Sequence, residues 1–463
     1  MYKKLFASYI LLITLSYGVI MPPNAGPDEM HHARTSWYLY ENPDQIFSDE
    51  NFVQYVFPES LLIDLPLRDS KEICNPQIQS KTSHCWRESR SDAKSARSMI
   101  LYYSPSYYMV IGFFQHQLSF LNPVTSGRIG SFLLVALIVA LSLRLLYKVV
   151  EPKKILAMSW VFTPPVVFLA TSINPSSFEI STAFLVMCIL IYAKKRQHIS
   201  KKMNMFGYLS QIIFVLSRPS SFIWLFLIIL FTFWDTPKRF QIKNYLVVLF
   251  GLLANLTLNN RSWKLNYNST DFTPNFEFYL EEAIRMLVNS GTWIFTMFGH
   301  LGWTEISMPL ILFVLNITIF SYLLACDFVN QSSSKRLILF LIFGSLVVPF
   351  FIALPYSGNW PMWWSGRYSL PYFVAIMSFA ISFTSRAILP LYFLGTFNLL
   401  VMLIITFWRY NWGLYSTNTP IIANGIQLPT ERIIVFVILA SAWFSVASFI
   451  AWKAARERTD DKV

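Results

Sequence analysis

An all-α polytopic membrane fold of about twelve transmembrane helices follows from three features of the sequence. Hydrophobic residues make up 54% of the chain and charged residues only 13%. Apolar runs recur from end to end, each near the roughly 20 residues that a helix needs to cross about 30 Å of hydrocarbon. Basic residues gather in the short segments between those runs. A soluble multi-domain architecture is thereby excluded, and residues 1–463 read as one integral membrane domain.

The net charge of +12 does not imply a nucleic-acid partner. Its carriers are Lys3 and Lys4, Arg144 with Lys148, Lys153 and Lys154, the run from Lys194, then Lys238, Arg239 and Lys243, Lys335 and Arg336, and the segment after Trp452. The positive-inside rule places each of these in the cytoplasm. Both termini are then cytoplasmic, and the expected location is a bacterial inner membrane, crossed many times.

The first run, Leu5 to Met21, follows two lysines as a signal peptide would. Its exit reads Met21-Pro22-Pro23, without small-residue cleavage chemistry, so it is expected to remain as the first helix. Further spans are expected near 129–147, 155–171, 177–193, 206–217, 220–234, 243–258, 309–326, 336–355, 369–385, 387–407 and 432–452. The pair at 206–217 and 220–234 is short, so Arg218-Pro219 marks either a shallow hairpin or a broken helix.

Met99 to Leu121 is apolar enough to count as a span, but crossing there would turn the basic 144–154 segment outward. It is also interrupted by Pro105, Gln115, His116 and Gln117 and is rich in Tyr. It is expected to lie along the outer face or to dip in and return. A long periplasmic loop with interfacial helices, 22–128, follows from this placement. A second periplasmic segment, 259–308, contains an amphipathic stretch, and a third, 356–368, ends on Gly366-Arg367-Tyr368. Loops of such length inside a membrane protein are usually functional. The first contains Cys74 and Cys85, which an oxidising periplasm would bridge, the alternative being two unpaired thiols.

Asp28 and Glu29 stand just beyond the first helix, where a membrane-anchored substrate presents its head group. A carboxylate there can act as general base toward a sugar hydroxyl. Equally, Asp28 can cap a helix that begins at Glu29. His31 and His32 invite a metal reading, but adjacent helix residues point in different directions and no further ligand spacing accompanies them. No metal is expected.

A first helix, an outward Asp28-Glu29, the segment "YYSPSYYMVIGFF" from Tyr102 and Tyr103, and Arg128 opening the next span together resemble the GT-C superfamily of polytopic glycosyltransferases. That superfamily includes protein O-mannosyltransferases and aminoarabinose transferases. "PPNAGPDEMHHAR", "TSINPSS" around Asn174, "FGHLGW" from His300 to Trp303 and "WSGRYSLP" around Arg367 resemble, in order, an uncharacterised bacterial membrane family regarded as GT-C-like. O-antigen-modifying transferases are assigned to that family, and the resemblance covers nearly the whole chain.

The resemblance implies an inverting transfer of a sugar from a polyprenyl-phosphate donor to a surface polysaccharide or lipid-linked acceptor on the periplasmic face. Asp28 takes the place of the superfamily's base, with Glu29 as its neighbour. Some relatives have an acid directly after the Asn-Pro of the second outward loop. This chain has Ser176 there, with Glu179 the nearest acid, so a divalent cation is not favoured and no cofactor is expected. A leaving phosphate gathers negative charge in the transition state and needs cationic donors. Arg367 is the first candidate, because guanidinium offers a planar fork to phosphate oxygens, with Arg218 and Arg128 after it. An interfacial Arg anchoring a helix end among Trp360, Trp363 and Trp364 is the plainer alternative. His31, His32, Tyr102, Tyr103, Asn174, His300, Trp303 and Tyr368 complete the expected substrate contacts. An aromatic belt accounts for the rings among them equally well.

Two other classes compete. An O-antigen-type polysaccharide polymerase would share the lipid-linked substrates and the outward arginines, but not the early Asp-Glu pair. A lipid-linked sugar flippase would need ionisable residues lining a path through the spans, and the middles of the expected helices hold almost none.

Overall fold

The computed structural model describes residues 2–21, 25–44, 52–55, 58, 61, 96–99, 105–196, 200–234, 243–254, 276–301, 306–328, 332–349, 365–383, 388–412 and 430–460. Helices dominate these residues. Among them, four are long and apolar enough to cross a membrane: Pro123–Leu146, Pro175–Lys195, Pro390–Tyr410 and Ile433–Ala451. Shorter apolar helices accompany them, including Lys4–Ile20, Ser221–Phe233, Lys243–Ala254 and Leu310–Ile319. Leu133, Leu137, Ile404, Val437 and Phe444 stand exposed on the long helices, an apolar exterior suited to hydrocarbon rather than water.

Pro175–Lys195 lies at the centre. It packs against Pro123–Leu146 and against Leu370–Phe383, with 89% of its apolar window buried. Its start is built from Asn174, whose side chain accepts the Ser176 N–H at 2.9 Å, with Pro175 in the first turn where its missing N–H costs nothing. Lys194 and Lys195 close the last turn, where cations suit the helix dipole.

The span expected at 155–171 is not one straight helix. Pro152–Ala157 and a 3₁₀ turn at Met158–Trp160 run into Pro164–Ala170, which departs at 87°. Pro164 has no N–H to give, and its ring clashes with the preceding turn, so a helix cannot run through it. Beyond the bend, Thr171 returns to the end of the first helix, donating to Met21 Sδ at 3.0 Å.

The helix expected to open at 129 begins at Pro123, because Asn122 caps it by accepting the Val124 N–H at 2.9 Å. Arg128 therefore sits within the helix rather than at its mouth. The Met99 to Leu121 stretch contains the helix Pro105–Gln117, whose 13 residues fall short of the about 20 needed to span. It packs instead along Glu29–Glu41. Arg218-Pro219 separates two helices, Lys201–Val215 and Ser221–Phe233.

Two short antiparallel strand pairs depart from the all-α expectation. Phe52–Tyr55 pairs with Ala96–Met99, and His300–Leu301 with Ile306–Ser307. Both fall in segments between apolar runs, where no helical period holds the backbone and extended chain satisfies its polar groups by pairing. The amphipathic stretch forms the helix Phe276–Gly299, which buries Met286, Trp293 and Met297 and exposes Leu280, Ile284, Leu287 and Val288.

Candidate active site

The turn after the first helix is held from several directions. Asn174 Nδ2 donates to the Pro27 carbonyl at 2.8 Å, tying the turn to the start of the central helix. Glu29, fully buried, closes the other side. Arg128 donates from Nε to its Oε1 at 2.7 Å and from Nη2 to its Oε2 at 2.6 Å, while Arg128 Nη1 reaches the Met21 carbonyl at 2.7 Å. The Ile173 N–H adds a bond to Oε1 at 3.1 Å and the Gly26 N–H one to Oε2 at 3.3 Å. Both carboxylate oxygens are thus occupied.

Asp28 is held differently. It is the non-glycine residue with positive φ among those described, at φ 56° and ψ 16°. That left-handed conformation is uncommon for a residue with a Cβ and costs about 1 kcal/mol or more unless its surroundings enforce it. Asp28 precedes the Glu29–Glu41 helix, yet its side chain makes no capping bond; only its carbonyl accepts, from the His32 N–H at 3.0 Å. The carboxylate is 41% exposed and turned toward Arg367, with Oδ2 at 3.7 Å from Nη2. The side-chain cap expected of an Asp in this position is not what the residue does.

Arg367 is carried by a 3₁₀ turn, Gly366–Ser369, that enters the Leu370–Phe383 helix. Gly366 is required there: a Cβ would strike the Trp293 carbonyl, Thr296 Oγ1 and the Met297 nitrogen. The Gly366 N–H donates to Thr296 Oγ1 at 2.8 Å. The close approach that Gly366 allows is therefore to the Phe276–Gly299 helix. Arg367 Nη2 donates to the Tyr368 hydroxyl at 3.1 Å, and its guanidinium lies 5.1 Å from the centre of that ring. Arg218 lies 4.9 Å from the same ring. Burial pushes the Tyr368 phenol up, but Arg367 and Arg218, with the Arg367 hydrogen bond, outweigh burial and the opposing charge of Asp28, leaving it below its ordinary value.

Arg218 is itself anchored. Its Nη1 donates to Ser176 Oγ at 2.9 Å and approaches Glu179 Oε2 at 3.4 Å. Glu179, fully buried, also accepts from Ser221 Oγ at 2.7 Å. Thus Ser176, standing where relatives were expected to have an acid, serves Arg218, and Glu179 supplies the negative charge one turn further along. In the sequence Glu179 stands out only as the acid nearest to Ser176. An acid in an apolar helix is itself the signal that would have found it, since such residues are paired and rarely idle.

His32 is buried, with Nδ1 at 2.9 Å from the Tyr108 hydroxyl. Burial first, then the positive charges of His31, Arg218 and Arg367, hold its pKa well below the usual histidine range. Burial and those charges favour its neutral form. His31, one position before, is half-buried and points elsewhere, as a helix dictates. His300 has its Nε2 at 3.3 Å from Ser307 Oγ and its ring edge-on to Phe295; burial lowers its pKa. Tyr102, Tyr103, Trp303, Cys74 and Cys85 lie outside the described residues.

The sequence segments expected to converge therefore do so in part. Asp28, Arg367, Tyr368 and Arg218 form one cluster, with Asn174, Glu29 and Arg128 bracing the turn beneath it. Among the described residues, no group of three or more His, Cys, Asp or Glu is placed to hold a metal ion. The cluster offers one accessible carboxylate beside two guanidiniums and a phenol, a setting in which an anion can be held while a proton is taken from a neighbouring hydroxyl.

A sequence model described as "Predicted membrane protein (DUF2142)" matches residues 11–373, a range that contains Asp28, Arg128, Arg218 and Arg367. No curated protein and no solved structure matches the chain. The chain belongs to the DUF2142 family of predicted membrane proteins.

Proposed function

We propose that this membrane protein is an inverting glycosyltransferase of GT-C type, moving a sugar from a polyprenyl-phosphate donor to a surface polysaccharide acceptor on the periplasmic face. The observation that carries the reading is Asp28: a carboxylate in left-handed backbone, free of any capping bond, partly exposed, and 3.7 Å from a guanidinium. A helix cap would need none of these features. In the reaction the acceptor hydroxyl oxygen forms the new bond to the anomeric carbon, and its proton passes to Asp28. The bond from that carbon to the donor oxygen breaks, and the pair of electrons leaves with the polyprenyl phosphate. Arg367 and Arg218 stabilise the charge that gathers on the departing phosphate, both guanidiniums lying against the Tyr368 ring. The reading takes the chain as crossing the inner membrane about twelve times with both termini in the cytoplasm, which puts the Asp28 turn and the Arg367 turn on the same outer face.

The test is sugar composition and linkage analysis of surface polysaccharide from cells with the gene, without it, and with an Asp28→Asn copy restored to the membrane. Loss of one linkage without the gene, and failure of the Asp28→Asn copy to restore it, is the expected result. Unchanged polysaccharide in all three strains would leave the reading without support.

A further inference from the structure

Three arginines in and around the cluster each face an acid, and the three pairs differ in strength. Arg128 grips Glu29 through two bonds of 2.7 and 2.6 Å, with the acid fully buried. Arg218 meets buried Glu179 at 3.4 Å, and Ser221 holds that acid further at 2.7 Å. Arg367 meets Asp28 at 3.7 Å, with the acid 41% exposed. An anion that docks on one of these guanidiniums competes with the carboxylate already facing it. The longest and wettest pair yields first, because its Coulomb attraction is weakest and water already solvates the freed acid.

We propose that an anionic phosphoryl group takes the place of Asp28 on Arg367, and that this exchange turns Asp28 toward the acceptor, so that donor binds before acceptor. The phosphate exchange is a claim about binding alone; its consequence for Asp28 rests on the transferase reading above. Two further features favour it. Arg367 stays in place during the exchange, since Nη2 also donates to the Tyr368 hydroxyl and Gly366 is locked against the Phe276–Gly299 helix. Asp28 is free to turn, since its side chain makes no bond to the helix it precedes. A carboxylate that capped its helix could not leave without unmaking the helix start.

The exchange makes an unusual demand. Removing the charge of a residue in the site should strengthen phosphate binding. Full-length protein in neutral detergent is titrated with farnesyl phosphate and with inorganic phosphate, with farnesol as the uncharged control. Asp28→Asn is expected to bind farnesyl phosphate about twofold to fivefold more tightly than the native chain, the size of one exposed ion pair. Arg367→Ala should bind it about tenfold or more weakly, and the double variant should match Arg367→Ala, because the guanidinium that Asp28 faces is gone and Arg218 is held by Glu179. Inorganic phosphate should follow the same order. Unchanged or weaker binding by folded Asp28→Asn would overturn the exchange while leaving a phosphate site in place. Failure of every protein to bind either phosphate would overturn the phosphate site itself, and the exchange with it.

Discussion

Asp28 and Glu29 are neighbours in sequence, carry the same functional group and each face an arginine, yet the fold treats them as opposites. Glu29 is fully buried, with both oxygens committed to Arg128 and to the N–H groups of Gly26 and Ile173. Asp28 sits in left-handed backbone, partly exposed, with a guanidinium at 3.7 Å. The first carboxylate fastens the exit of the first helix to the Pro123–Leu146 helix. The second is left available. Burial and the number of donors, rather than residue type or position, separate the bracing carboxylate from the one left open.

The contrast can be broken or sharpened in descending order of effect. Glu29→Ala takes from the largely buried Arg128 the carboxylate that holds it through two bonds, a loss of about 3–5 kcal/mol. Thermal unfolding in detergent should show a large drop that Asp28→Ala does not share; equal drops would erase the distinction. Arg367→Lys keeps the charge but loses the fork that engages two phosphate oxygens, so the KM for donor in proteoliposomes should rise about tenfold with an unchanged melting temperature. An interfacial anchor would tolerate the change, since Lys reaches the interface as well as Arg.

The smallest effect concerns His32. Its pKa is depressed in the folded protein, so the unfolded chain binds the proton more readily. Stability is therefore intact above the unfolded value of about 6.5 and falls as pH drops below it, by at most about 1.4 kcal/mol per pH unit. His32→Gln should flatten the decline in melting temperature between pH 7 and pH 5. An identical decline in both proteins would place the proton elsewhere.

Much of this was legible in the sequence because hydrophobic length and charge clusters report directly on helices in lipid. The first helix, the central Pro175–Lys195 helix and the break at Arg218-Pro219 are visible in that pattern. The bend at Pro164 was also signalled by two consecutive prolines, but a hydropathy window averages over them. The early start at Pro123 needed the Asn122 cap, a single side-chain bond that no average detects. Within the site, the Asp28-Glu29 pair and Arg367 stood out as charges at the ends of apolar runs. Their division of labour did not, because it depends on a backbone angle at Asp28 and on donors from Gly26, Ile173 and Arg128 that converge only in three dimensions. Glu179 was visible as an acid in an apolar helix, but its partners were not, since Arg218 and Ser221 lie about 40 residues away in sequence.

The central claim, that Asp28 reacts while Glu29 braces, is tested most directly by measuring transfer rate and melting temperature on the same preparations of Asp28→Asn and Glu29→Gln. Asp28→Asn is expected to melt like the native protein and to lose about 10² to 10⁴ in rate, the usual contribution of a general base. Glu29→Gln is expected to melt well below it and, at temperatures where it remains folded, to retain the larger share of activity. Near-native turnover by Asp28→Asn, beside a stable but inactive Glu29→Gln, would contradict the account and exchange the two roles.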